Sequence, residues 1–503
     1  MASVNVILVA NPISIDMEPA TPTLTAYQFQ HYLATQSRCI KIFWCLILLL
    51  ALSNNSVASI NIVKTLPGFT GELPFLLETG YIGVGEMDEV QFFYYFVQSE
   101  GLPVTDPLLL WLNGGPGCSA LSGLMYEIGP IGFDYERSIE EQKPVLALKD
   151  YSWTKVANII FLDEPVGTGF SYAKTSAGYN TSDTKCTSQV YLFLRKWLLA
   201  HPNFQTNPVY ITGDSYSGIT IPVIVKKISD GNKAGNLPLI NLKGYVIGNP
   251  ATSEYDINSR IEFAHRVGLL SDELYEATKL DCQGEYVYPN KSEAGCIELL
   301  EIVNLCLKDV DITMILEPSC ELSVTAKPNK LNWGPSHVPD ALFLEANPIG
   351  RWCRAYNYLF IQNWANDKEV QEALHVRIGT INKWERCNAS LSYVFDITSS
   401  IDYHRNFTSE DLRAIIYSGD HDMVIPYVGT EEWIQSLNLT VSSEDEWRPW
   451  FVDGQIAGYT ERYLENKYSL TFATVKGAGH TAPEYKPKEC FNMISRWFAY
   501  YYL

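Results

Sequence analysis

The sequence predicts an α/β fold: a largely parallel sheet with helices on its faces and an insertion capping one end. Three observations carry this. Short continuous apolar runs recur at Leu108–Leu112, Asn158–Leu162, Leu242–Gly248, Arg413–Ser418 and Tyr468–Val475, the mark of strands buried on both faces. Stretches with helical spacing lie between them, as at Asp183–Ala200, where Val190, Leu192, Leu194, Trp197 and Leu198 are apolar. From about 251 to 350 the alternation stops, replaced by helical pieces, four cysteines and a segment rich in Pro and Asn.

Length and composition agree with one large domain carrying an insertion. The chain has 503 residues, 47% of them apolar and 19% charged, enough to bury a large core. Its formal charge of -20 would repel polyanions, so nucleic acid is not an expected partner. The division expected is 1–58 for an N-terminal extension and leader, 59–250 and 351–503 for the two parts of the core, and 251–350 for the cap.

The elements follow in order. Arg38 and Lys41 precede the apolar run Ile42–Leu52, and Ser56-Val57-Ala58 offers small residues where signal peptidase cuts. That run falls short of the about 20 apolar residues a membrane span needs, so a secretory signal cut near Ala58 is expected, with no stable span. Residues 1–37 make this leader unusually long. Either translation starts later, for example at Met17, or the segment is a signal anchor; the later start is preferred. Beyond the leader, nine cysteines remain once Cys39 and Cys45 are set aside, and Asn180, Asn290, Asn388, Asn406 and Asn438 head glycosylation sequons. Together they favour an oxidising secretory route.

Val90–Val97 is aromatic and β-branched and reads as a strand. Leu108–Leu112 runs into Asn113-Gly-Gly-Pro-Gly-Cys-Ser119, a loop whose backbone amides can approach a ligand closely, as an oxyanion hole requires. Asn158–Leu162 ends in a second Gly- and Pro-rich loop, Asp163 to Tyr172, on the rim where open α/β sheets bind ligands. After the helix Asp183–Ala200 comes Ile211-Thr-Gly-Asp-Ser-Tyr-Ser-Gly-Ile-Thr220, a strand, a tight turn and a helix. A serine on such a turn presents its hydroxyl outward beside the next N–H, which makes Ser215 the candidate nucleophile. The pattern departs from G-x-S-x-G in having Ser217 before Gly218. In the cap, Ile257–Leu270 and Asp272–Lys279 read as helices. Trp364–His375 and Lys488–Tyr502 read as helices of the core.

The last two strands complete a site. Arg413–Ser418 runs into Gly419-Asp-His-Asp422, and Tyr468–Val475 into Lys476-Gly-Ala-Gly-His480. Serine, then aspartate, then histidine, each at a strand end, is the chain order of α/β-hydrolases. His480 would take the Ser215 proton and an aspartate would hold the imidazole.

On these residues the chain, from about Leu66 onward, resembles the serine carboxypeptidase-like family. The resemblance rests on Trp111-Leu-Asn-Gly-Gly-Pro-Gly-Cys-Ser119, Asp163-Glu-Pro-Val-Gly-Thr-Gly-Phe-Ser171, Gly213-Asp-Ser-Tyr-Ser-Gly218, Gly419-Asp-His-Asp422 and Gly477-Ala-Gly-His480. It implies an α/β-hydrolase fold with a disulfide-stapled cap, no metal and no cofactor. It implies Asp422, not Asp420, as the triad acid, and the N–H groups of Gly115 and Tyr216 as the oxyanion hole. Trp111, Asn113, Glu127 and Asp214 map onto the family's carboxylate-recognition positions. The disulfides it implies are Cys118–Cys387, Cys282–Cys296 and Cys320–Cys353, with Cys306 competing for the last and Cys186 and Cys490 left as buried thiols.

The family's peptidases carry glutamate before the nucleophile, where this chain has Asp214. With Ser119-Ala-Leu-Ser-Gly123, Tyr126-Glu-Ile-Gly-Pro130 and Trp447-Arg-Pro-Trp450, that residue makes the chain similar to the plant acyltransferase branch. Its members move an acyl group from a 1-O-β-glucose ester to an alcohol or amine, usually in the vacuole. The expected partners are therefore a small glucose ester and an acceptor, in the vacuole or outside the cell. The alternatives are a carboxypeptidase with the same acyl-enzyme, and a catalytically silent secreted binding protein. An intact Ser215, Asp422 and His480 speak against the last.

Overall fold

The computed structural model describes residues 60–290, 294–319 and 354–503. The expected leader, Cys320 and Cys353 lie outside them. Among the described residues no helix is long and apolar enough to cross a membrane.

One sheet of 13 strands runs through the molecule. Its centre is six parallel strands, in the order Asn158–Leu162, Leu108–Leu112, Val209–Asp214, Leu242–Gly248, Arg413–Gly419 and Tyr468–Val475. Antiparallel strands extend both edges: Val90–Val97 and Leu77–Val84 on one side, Gln455–Glu465 on the other. Leu108–Leu112 shows why the central runs are apolar throughout. Leu108, Leu110 and Leu112 join the core on one face of the sheet, while Leu109 and Trp111 join the core on the other, as the two-residue period of a strand requires.

Helices cover both faces. The helix Asp183–Ala200, capped by the Ser182 hydroxyl, buries Val190, Phe193, Leu194 and Trp197 beside Ile221, Ile224 and Ile228 of the helix Ser217–Lys233. On the opposite face Ile361 and Trp364 of Arg354–Asn366 join Met493, Ile494 and Trp497 of Pro487–Phe498. The cap helices Ser259–Arg266, Asp272–Cys282 and Ala294–Leu307 have a core of their own, which docks on Met423 and Val428 just beyond Asp422. Between Gly248 and Arg413 the chain adds no described strand to the central sheet.

Several expected boundaries move. The C-terminal helix stops at Phe498 and not at Tyr502, because Tyr500 turns left-handed and the Tyr501 N–H bonds back to the Arg496 carbonyl at 2.9 Å, a Schellman stop. The helix expected over Trp364–His375 is two, since Asp367 caps a new one at Lys368. The cap helix expected over Ile257–Leu270 is confined to Ser259–Arg266, ended by Gly268 at φ +77°.

Candidate active site

The turn at Ser215 is set by close approach. A Cβ at Gly213 would come within 2.2 Å of the Leu112 carbonyl oxygen, and one at Gly218 within 2.3 Å of that of Ala251. At the position between, Ser217 fits because its hydroxyl donates to the Leu112 carbonyl at 3.0 Å. Ser215 itself sits at φ +55°, a conformation that costs a non-glycine residue about 1–3 kcal/mol unless its surroundings over-determine it. They do: the Ser215 N–H donates to Gly248 O at 2.9 Å, and its carbonyl accepts from Gly218 and Ala251.

His480 Nε2 lies 2.9 Å from Ser215 Oγ, and His480 Nδ1 lies 2.8 Å from Asp422 Oδ2. Asp422 is fully buried and takes further bonds from Asn249 Nδ2 at 2.8 Å and from the N–H groups of Val424 and Ile425. Burial works against a charged His480 ring. The adjacent Asp422 carboxylate, by charge and hydrogen bond, outweighs it and holds the imidazole above its ordinary pKa. Asp420 is turned away, pairing with His421 Nδ1 and the Gly477 N–H.

A Cβ at Gly114 would meet Ser215 Cβ at 2.6 Å and Tyr216 N at 2.7 Å, so the loop after Leu112 packs on the serine turn; Gly115, at φ +119°, follows, and Tyr216 caps the helix Ser217–Lys233. Among the described residues neither N–H donates to a backbone carbonyl. A fully buried carboxyl, Asp163, ties the loop after Leu112 to the loop after Leu162: it accepts from Ser119 Oγ at 2.5 Å, from Ala120 N at 2.9 Å and from Phe170 N at 3.0 Å. Cys118–Cys387 pins the same loop from the other side, and Cys282–Cys296 joins two cap helices. Cys186 and Cys490 are buried thiols, and Cys306 is exposed.

Beside Ser215 lies a buried polar cluster. Trp111 Nε1 donates to Asn113 Oδ1 at 3.1 Å. Asn113 Nδ2 donates to Glu127 Oε1 at 2.7 Å, and the Gly114 N–H to Asp214 Oδ1 at 3.0 Å. Burial first, and then the Asp214 carboxyl next to it, push Glu127 well above the usual carboxylate range; burial raises Asp214 too. The two carboxyls are also hydrogen-bonded to each other.

The structure adds residues that the linear pattern did not single out. Asn249 follows the neighbouring strand Leu242–Gly248 and is fully buried on Asp422; an asparagine straight after a strand was its only signal. Arg260, from the cap, donates to the Val424 carbonyl, and burial brings its pKa down to about 10. Of the five sequon asparagines, Asn180, Asn290, Asn406 and Asn438 are exposed. Asn388 is half-buried, its Nδ2 donating to Gly167 O at 2.9 Å.

Residues 67–500 match the family model described as serine carboxypeptidase. Serine carboxypeptidase-like 8 of Arabidopsis thaliana is 47% identical over 453 residues, covering 90% of this chain and 98% of the relative. Serine carboxypeptidase-like 17 of the same plant is 48% identical over 441 residues, covering 87% and 92%. Among solved structures, a prohormone-processing carboxypeptidase from Saccharomyces cerevisiae superposes with a TM-score of 0.65 at 20% identity, over 85% of this chain and 91% of that one. That likeness shows the α/β-hydrolase fold.

Proposed function

The chain belongs to the serine carboxypeptidase family, and from that premise we propose that it is an acyltransferase acting through an acyl-Ser215 intermediate on a 1-O-β-glucose ester. Ser215 Oγ attacks the ester carbonyl while His480 Nε2 takes its proton, and Asp422 stabilises the imidazolium. The N–H groups of Gly115 and Tyr216 receive the developing oxyanion. His480 returns the proton to the departing glucose oxygen. An acceptor hydroxyl or amine then attacks the acyl-enzyme, giving its proton to His480, and Ser215 leaves protonated.

The observation that carries the choice of substrate is the occupancy of the polar cluster. Asn113 Nδ2 and the Gly114 N–H, the donors that a peptide carboxylate would need, already point at the chain's own Glu127 and Asp214 carboxyls. What remains of the cluster is carboxyl, Glu127 and Asp214, buried side by side. Such a pair suits sugar or acceptor hydroxyls, which donate, and disfavours a second anion. A carboxypeptidase reading draws support from the upward push of burial and of Asp214 on Glu127, which favours its neutral form, able to donate to a substrate carboxylate. The disulfides fit the secretory pathway, and within it we propose the vacuole.

Incubation with a phenolic or aliphatic glucose ester, with and without an alcohol or amine acceptor, and separately with a blocked dipeptide, tests the proposal. Transfer to the acceptor with little dipeptide cleavage is expected, and Ser215→Ala should lower the rate by several orders of magnitude. Efficient dipeptide cleavage with no transfer from any glucose ester would overturn it in favour of the carboxypeptidase.

A further inference from the structure

Behind the oxyanion loop sits a fully buried carboxylate that the mechanism above does not use. Asp183, the first residue of the helix Asp183–Ala200, accepts from the Tyr216 hydroxyl at 2.7 Å, from the Tyr393 hydroxyl at 2.7 Å and from the Ile397 N–H at 3.0 Å. The strip 393–397 is bolted to that helix start elsewhere too. Tyr393 and Val394 pair with Thr181 and Ser182 as a short parallel ladder, and Asp396 accepts from the Thr184 N–H at 3.0 Å. The rings of Tyr216, Tyr393 and Phe395 meet edge to face, with Phe395 5.6 Å from Tyr216 and 5.2 Å from Tyr393. Phe395 is 56% exposed. Two aromatic walls, one rooted in the residue after the nucleophile and one in a distant strip, therefore share a single buried anion.

We propose that Asp183 is a positioning residue for the oxyanion hole, holding Tyr216 so that its backbone N–H stays aimed at the reacting carbonyl, and seating the Tyr393–Phe395 strip beside it. Tyr216 follows a serine in a strained left-handed turn; the Gly218 and Ala251 N–H groups hold the carbonyl of the peptide plane they share, and the bond to Asp183 anchors the residue at its other end, through the side chain. A phenol bonded to a buried carboxylate is a strong anchor, because charge-assisted hydrogen bonds are about twice as strong as neutral ones. The carboxyl is in turn fixed by its three donors. Losing an oxyanion donor outright costs roughly a hundredfold to a thousandfold in kcat; loosening one should cost about tenfold to a hundredfold.

The inference rests on Ser215 being the nucleophile, and labelling of the wild-type protein at Ser215 by a fluorophosphonate checks that separately. Asp183→Asn, Tyr216→Phe and the double variant are then compared for kcat, KM and affinity for a boronic acid that forms a tetrahedral adduct on the serine. Each single variant is expected to lower kcat and weaken boronate binding by at least tenfold, with KM within about threefold. The double variant should fall no further than the worse single one, since both remove the same bond. Boronate affinity within twofold of wild type in folded variants, or losses that multiply in the double, would overturn the proposal. If Asp183→Asn does not fold, Tyr216→Phe alone decides by the same thresholds. If the wild type is not labelled at Ser215, the nucleophile assignment and this inference fall together; if it is labelled and the variants behave as wild type, only this inference falls.

Discussion

At the scale of single residues, the one-methylene difference at Asp214 is where chemistry can be redirected. The short side chain places Oδ1 3.0 Å from the Gly114 N–H. A glutamate there would move its carboxyl away from the backbone and free the Gly114 N–H for a substrate anion or a water, while Asn113 stays on Glu127. Water is present at about 55 M, and a transferase competes with it through effective molarities that can reach roughly 10⁵ M for well-placed groups. Asp214→Glu is therefore expected to raise the ratio of hydrolysis to transfer severalfold while leaving Ser215 reactive to a fluorophosphonate; an unchanged product ratio would count against the role given to Asp214. Residues of this kind differ in how legible they are. Ser215, Asp422 and His480 can be read from the chain because each follows an apolar strand and a glycine. Asn249 cannot be read as a partner of Asp422, since their contact exists only because Leu242–Gly248 and Arg413–Gly419 lie side by side. Asp183 is hidden for the same reason: its partners are 33 and 210 positions away.

Among the elements, the loop after Leu112 depends most on distant support. It is held by Asp163 on one side, and on the other by Cys118–Cys387, with the Ser119 N–H on Arg386 O at 2.8 Å and the Asn388 N–H on Gly117 O at 2.9 Å. The disulfide closes a separation of 269 residues, where the loss of chain entropy in the unfolded state is large and a bridge contributes about 2–5 kcal/mol. Cys118→Ser with Cys387→Ser should lower the melting temperature and also kcat, because Gly115 stands three residues from the bridge. A loss of stability with kcat intact would show that the loop holds its shape alone. Elements were readable where burial on both faces made a strand apolar throughout. Leu77–Val84 escaped because Gly80 and Gly83 interrupt its apolar residues; a Cβ at Gly83 would meet the Asp88 side chain at 2.4 Å. Gln455–Glu465 escaped because, near the sheet's edge, it mixes buried and exposed residues irregularly. Helix ends moved where a single left-handed residue, Tyr500 or Gly268, closed the last turn.

For the whole molecule, the buried ionisable groups favour acid. Burial raises Asp163 to about 6, and Glu164 and Glu431 to about 7, against about 4 for such groups in an unfolded chain. Between those values the native state holds protons that the unfolded chain has released, so stability falls as pH rises and the cost is complete above about pH 7. His480 acts in the same sense. Its raised pKa contributes stability that is present below about pH 6.5, the unfolded value, and is lost as pH climbs through the folded one. His404 opposes them: burial lowers it to about 3, so its contribution is present above about 6.5 and is lost as pH falls. One opposing histidine is outnumbered by three carboxyls and His480, and the net charge of -20 at pH 7 adds self-repulsion that acid relieves. The melting temperature is therefore expected to be higher at pH 5 than at pH 7.5, and Glu164→Gln, neutral throughout, should flatten part of that slope. Thermal unfolding followed across this range checks both: a melting temperature that rises from pH 5 to pH 7.5 would mean that His404 and the exposed ion pairs outweigh the buried acids, and a slope unchanged by Glu164→Gln would remove Glu164 from the account.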